Sequence, residues 1–123
     1  MILIIVLISL IFVVFWLLLF RYLVPRFYLV VGESMYPTIM EGDVVMGLKL
    51  HPSVPLIKGG VYGYRLPWDM KKWSIKRLSY FVNDKCFFVG DNSDNSIDSR
   101  EYGFINRENV MFEVVWHKNM QGG

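Results

Sequence analysis

The sequence predicts a mostly β domain of antiparallel sheets behind a single N-terminal transmembrane helix. Three observations predict it. The chain opens on an almost unbroken apolar run, the segments after it carry apolar residues at spacing two, and clusters of turn-forming residues separate those segments.

The anchor comes first in the chain. Of the 123 residues, 54% are hydrophobic and 20% charged, and a mean hydropathy of +0.35 is high for an ordinary soluble domain of this length. This composition excludes intrinsic disorder, and the length excludes a large multidomain enzyme. From Ile2 to Phe20 the only polar side chain is Ser9, and every Lys, Arg, Asp and Glu falls at Arg21 or later. As a helix rising 1.5 Å per residue, residues 1–24 suffice for a hydrocarbon core of roughly 30 Å, and they are expected to cross the bilayer once. The segment lacks the basic n-region, the short apolar core and the small-x-small site of a cleavable signal, so it is expected to remain as an anchor. Arg21, Tyr22 and Arg26 suit the headgroup level at its C-terminal end. Taken alone, these arginines would hold the rest of the chain in the cytoplasm.

Residues 25–123 are expected to form one compact β domain with a modest core. In the stretch from Val44 to Leu50, positions 44, 46, 48 and 50 are apolar, and Val110, Phe112, Val114 and Trp116 alternate in the same way; both read as half-buried strands. Phe27 to Val31, Val61 to Arg65, Trp73 to Tyr80 and Cys86 to Val89 are further strands, rich in aromatic and β-branched residues. Glu41-Gly42-Asp43, Lys58-Gly59-Gly60, Asn83-Asp84 and the polar run from Gly90 to Arg100 mark the turns. No amphipathic helix is evident, which leaves about six short strands.

A formal charge of +2 from 13 basic and 11 acidic residues is too balanced to argue for nucleic acid. The single cysteine, Cys86, lies in an apolar stretch and is expected in the core as a small hydrophobe. No zinc or iron–sulfur spacing occurs, and no metal or cofactor is expected.

Three stretches stand out as polar or turn-rich: Gly32 to Thr38, Lys76-Arg77 and Gly90 to Arg100. Singly, each has a bland reading as a turn serine, a solvated strand charge and a polar loop. Taken together they suggest chemistry. A serine nucleophile needs a base, and neither His51, in a turn, nor His117, near the end of the sequence, is well placed to serve. A lysine can serve if burial among apolar groups penalises its charged form enough to free the amine near neutral pH. On a strand, Lys76 shares a face with Leu78 and Tyr80, while Arg77 points the other way.

Ser34-Met35-Tyr36-Pro37-Thr38 with Gly42-Asp43, then Ile75-Lys76-Arg77, then Gly90-Asp91-Asn92 with Ser96, Asp98-Ser99-Arg100 and Gly103 resemble the ordered sequence boxes of the type I signal peptidases, in the bacterial and organellar branch. The endoplasmic-reticulum branch carries histidine where Lys76 stands. Two departures are visible: Ser79 to Lys85 replaces the family's Pro-Gly-Asp turn after Lys76-Arg77-Leu78, and the large insertion of longer members is missing.

The resemblance implies a catalytic domain over residues 25–123, with Ser34 as nucleophile, Lys76 as general base and Ser96 orienting the lysine amine. It implies that Asp98 and Arg100 form a structural ion pair and that Asp91 and Asn92 shape the loop beside the site. Some members place a serine two residues before the nucleophile as an oxyanion donor; here that residue is Gly32, which leaves the Ser34 backbone N–H. Val30, Val31, Gly32, Met35 and Ile75 are expected to bind an extended substrate strand with small residues one and three before the cut. The implied partners are signal-peptide-bearing preproteins and the lipid bilayer, with the protein a monomer. The implied location is the cell membrane with the catalytic domain on its extracytoplasmic side, or an organellar inner membrane, against the charge rule above. Two relatives of this reading are a peptidase dedicated to one client and an inactive membrane-anchored signal-peptide-binding protein. A calcium module built on Asp91 to Asp98 is a third, although the loop departs from EF-hand spacing.

Overall fold

The computed structural model describes residues 1–118 apart from the side chain of Tyr22, so the headgroup-level position expected of that side chain lies outside the described residues. Helix α1 covers Ile2–Leu23. Its apolar window from Ile2 to Arg21 has a mean hydropathy of 3.4 and none of it is buried against the rest of the protein. Ser9, the one polar side chain in the run, donates to the Ile5 carbonyl at 2.9 Å, so its hydroxyl is satisfied within the helix. The helix is long and apolar enough to cross a membrane.

After α1 come seven strands: β1 (Arg26–Leu29), β2 (Val44–Lys49), β3 (Val61–Leu66), β4 (Asp69–Val82), β5 (Lys85–Val89), β6 (Ile105–Asn106) and β7 (Val110–Lys118). They form one antiparallel sheet in the order β1-β2-β7-β3-β4-β5-β6. The protein is therefore mostly β, as alternation and turn chemistry predict. β6 is a two-residue strand, too short for a periodic signal, and a one-turn helix α2 (Ser99–Tyr102) begins within the end of the polar run that reads from sequence as loop. Asp98 caps α2, its carboxylate accepting the Arg100 N–H at 3.1 Å.

The face of β2 differs from the alternation expected for it. Val45 and Gly47 are buried, whereas Val44, Met46 and Leu48 are half-buried. The reason is a glycine pair that periodicity does not register. The Phe112 ring of β7 lies across Gly47 and Gly63, where an added Cβ would come within 2.5 Å and 2.2 Å of it. The inward face of β2 is thus filled by a side chain from its neighbour. The register also shifts between Met46 and Gly47, and along β7 Val110 and Phe112 are buried while Trp116 is 46% exposed.

Two clusters form the core. One gathers Leu56, Tyr62, Tyr64, Leu78, Cys86, Phe88, Ile105 and Val110, with Cys86 packed as a small hydrophobe. The other gathers Met35, Ile39, Val45, Ile75 and Phe112. Strand β4 feeds both, sending Leu78 to the first and Ile75 to the second. A register shift between Leu78 and Tyr80 ends its alternation there, so Tyr80, expected on the Lys76 face, is 40% exposed and stacks on Phe87.

Candidate active site

Ser34 sits in the loop between β1 and β2, and Lys76 near the middle of β4. Met35 and Ile39 hold that loop down by burying in the core cluster that includes Ile75. Chain pairing carries on past β1, with the Val30 N–H on the Asp43 carbonyl at 2.9 Å and the Gly42 N–H on the Val30 carbonyl at 3.0 Å. The loop is thereby closed at its base, and Ser34 is presented toward β4. Lys76 Nζ lies 3.0 Å from Ser34 Oγ, across 42 residues of sequence.

Lys76 is 5% exposed. Burial penalises its ammonium, an effect that the carboxylate of Asp98 partly opposes, and the balance lowers the pKa to about 8. Asp98 does not cancel the shift because its charge is already engaged. It is fully buried, and although burial works against its ionisation, bonds from Arg100, the Gly90 N–H and Ser96 outweigh that and hold it well below the usual carboxylate range. Arg100 grips it at both oxygens, Nε on Oδ1 at 2.9 Å and Nη2 on Oδ2 at 2.8 Å.

The loop after β5 fixes the serine from the other side. The Asn92 N–H donates to the Ser34 carbonyl at 2.8 Å, and its side-chain amide donates to the Glu33 carbonyl at 3.0 Å. At Gly90 a Cβ would lie 2.2 Å from Ser96 Oγ and 2.6 Å from the Ser34 carbonyl oxygen, so only glycine permits this approach. Arg77, on the opposite face of β4, pairs with both oxygens of Asp91 at 2.8 Å and 2.7 Å. Asp91 and Asn92 thus tie the loop to β4 and to the serine respectively. Of the three carboxylates in this loop, Asp91, Asp94 and Asp98, the first and last are each occupied by a guanidinium.

Ser96 is placed otherwise than expected. Its hydroxyl donates to Asp98 Oδ2 at 2.6 Å. The second hydroxyl on the lysine amine belongs to Ser74, whose Oγ is 2.6 Å from Nζ. The sequence carried one signal for Ser74, its position two residues before Lys76 on a strand, which puts both on one face. The histidines do not enter: His51 bonds Ser53 within its own turn, and His117 lies exposed on β7.

A groove of about 440 Å³ opens onto the pair. Val30, Val31, Met35 and Ile75 line it as expected, together with Leu29, Leu66 and the run from Lys71 to Ser74. Gly32 is exposed on the same loop but does not line the groove, and its N–H faces the Glu41 carboxylate at 3.3 Å. On one edge, residues 69–77 of β4 pair with β3; on the other, pairing with β5 begins only at Arg77. Among the described residues, the second edge of β4 from Asp69 to Lys76 has no strand partner.

A family model described as "Signal peptidase, peptidase S26" matches residues 64–117, a stretch that holds Lys76, Asp91, Asn92, Ser96, Asp98 and Arg100. Over that stretch, somewhat under half of the chain, the sequence is similar to the signal peptidases of peptidase family S26. A 47-residue stretch is 43% identical to signal peptidase I of Buchnera aphidicola subsp. Baizongia pistaciae (strain Bp), covering 37% of this chain and 15% of that relative. Ser34 lies outside the segment matched by the S26 model, so its place beside Lys76 comes from the geometry.

Proposed function

We propose that this chain is a membrane-anchored serine endopeptidase that removes N-terminal signal peptides from preproteins, with Ser34 as nucleophile and Lys76 as general base. The observation that carries this reading is the 3.0 Å contact between Ser34 Oγ and the amine of a buried lysine. With its pKa lowered to about 8, a useful fraction of that amine is neutral near physiological pH.

In the acylation step the neutral amine takes the Ser34 proton as Oγ attacks the carbonyl carbon of the scissile bond. The resulting ammonium then protonates the departing amine of the mature protein. Water, deprotonated by the same lysine, hydrolyses the acyl-enzyme and returns Ser34. The Ser34 N–H donates to no group among the described residues, which leaves it available to the oxyanion. The substrate lies extended along the unpaired edge of β4, held by backbone hydrogen bonds. Val30, Val31, Met35 and Ile75 line the groove there, and on this reading they receive the small side chains one and three before the cut. Helix α1 holds the domain at the membrane on the extracytoplasmic side, where signal peptides emerge.

The test is cleavage of a purified preprotein by the full chain in detergent, beside Ser34→Ala and Lys76→Ala, with mass spectrometry of the products. A cut after a small-x-small site, abolished by both substitutions, supports the reading. Binding of the signal peptide with no cut by the unsubstituted chain would instead make this a receptor.

A further inference from the structure

We propose that Ser74 is a positioning residue that orients the Lys76 amine, its hydroxyl accepting one N–H so that the lone pair is left facing Ser34; this rests on the Ser34/Lys76 reading above. Three observations carry it. Ser74 Oγ is the closer of the two hydroxyls on the amine, at 2.6 Å against 3.0 Å for Ser34. Ser96, which a residue-by-residue resemblance would put in this role, has its hydroxyl on Asp98 Oδ2 and is not a hydrogen-bond partner of the amine, whose partners among the described residues are Ser34 and Ser74. Finally, Ser74 is itself held from behind. It stands opposite Tyr64 in the β3–β4 register, near enough for its hydroxyl to favour the ionised form of Tyr64, and the Tyr64 hydroxyl is in turn bonded to that of Tyr102.

Donor and acceptor arithmetic gives the chain a direction. A neutral lysine amine has two N–H donors and one lone pair, and to act as a base it must point that lone pair at the serine O–H. When Ser74 accepts an N–H, its own proton goes to Tyr64, and the Tyr64 proton goes to Tyr102. Every hydroxyl then donates away from the lysine, none competes for its lone pair, and Ser34 is the hydroxyl that meets it. Tyr64 is fully buried, and burial pushes its ionisation up, so the chain carries no charge of its own at working pH. The other groups facing this amine are Asp98, committed to Arg100 and Ser96, and Tyr62, which pairs with Lys76 across β3 and whose hydroxyl accepts from the Ile57 N–H. Arg77 turns away to Asp91.

The test compares Ser74→Ala with the full chain in kcat, KM and the pH profile of preprotein cleavage. Plateau kcat is expected to fall about 10- to 100-fold with KM within about twofold. The acid limb is expected to move to lower pH by about half to one unit, because a hydroxyl bond to an ammonium is stronger than one to a neutral amine, and its loss weakens the charged form more. Simple loss of packing would lower the rate without moving the limb in that direction. Ser74→Thr, which keeps a hydroxyl, should recover most of the rate, whereas Ser74→Val, of the same shape, should not; this pair reads the hydroxyl even if the alanine variant folds poorly. Tyr64→Phe keeps the ring stacked on Phe88 and should cost a few-fold. A wild-type rate and limb in Ser74→Ala, a rate loss with the limb unmoved or raised, or equal rates for the threonine and valine variants would overturn the assignment. A wild-type rate in Tyr64→Phe would remove the outward chain and the lone-pair argument with it. Lys76→Ala separates the two levels: if it is inactive while Ser74→Ala is normal, only the positioning role falls, and if both are fully active the dyad itself falls.

Discussion

The two halves of β4 are the most instructive contrast in the molecule. From Asp69 to Lys76 the strand has a neighbour on one side and a groove on the other; from Arg77 to Val82 it is paired on its far edge by β5. Adjacent residues fall on opposite sides of this divide. Lys76 is a buried amine with no carboxylate in contact, set against two hydroxyls, whereas Arg77 is a half-exposed cation gripped by a carboxylate at two of its three nitrogens. Two residues on, Leu78 is fully buried in aromatic core. One half of the strand holds a buried amine beside a serine, where the proposed chemistry would need it, and the other supplies packing that helps tolerate it.

The largest expected effect is on the chemical half alone. Lys76→Met should lower kcat at least 10³-fold, yet raise rather than lower the thermal midpoint at pH 7. The sign follows from linkage. With a folded pKa of about 8, below the unfolded value of about 10.4, the unfolded chain binds more protons between those limits, so the native protein gains stability as pH rises through that window and is handicapped below it. Removing the amine removes the handicap, and thermal unfolding at pH 7 and pH 10 would show the gain shrinking with pH.

Leu78→Ala addresses the other half and should reverse the pattern. Deleting a fully buried leucine is expected to cost about 2–5 kcal/mol, visible in urea unfolding, while the fraction that remains folded cleaves normally. If this variant lost kcat in the folded fraction, the division of labour along β4 would fail.

A smaller effect comes from pH. Cleavage should rise through pH 8 as the lysine amine deprotonates and fall roughly fiftyfold from pH 8 to pH 6. A rate flat from pH 6 to 10 would be incompatible with Lys76 as base. The smallest is Arg77→Met, which breaks a pair that is 36% exposed on the arginine side and 17% on the aspartate side and should cost about 1 kcal/mol or less. Its contribution should vanish in acid, because Arg77 depresses the Asp91 pKa and the pair is lost as pH falls through it.

Much of this was legible in the sequence. The anchor and six of the seven strands announce themselves through a long apolar run and spacing-two alternation. Ser34, Lys76 and the Asp91 to Arg100 loop are legible because a serine needs a base and their spacing matches a known set of boxes. What stayed hidden has physical causes. β6 is two residues long, the buried face of β2 is filled by Phe112 from β7, and a serine at position 74 looks like any strand serine until its rotamer is known. Ser96 shows the converse limit: residue type carries over from a resemblance, but the partner of a hydroxyl does not.

The clamp of Asn92 on the backbone of Glu33 and Ser34 also has a meaning in time. Ser34 and Lys76 are both present once the first two thirds of the chain exist, yet the segment that seats the serine, and the Asp98–Arg100 pair that braces it, come later in synthesis. A nascent chain that ends before Asn92 therefore carries both side chains of the proposed dyad without the clamp that seats Ser34. Such long-range closure is slow, so the proposed dyad is expected to be aligned only after the loop that follows β5 has been made.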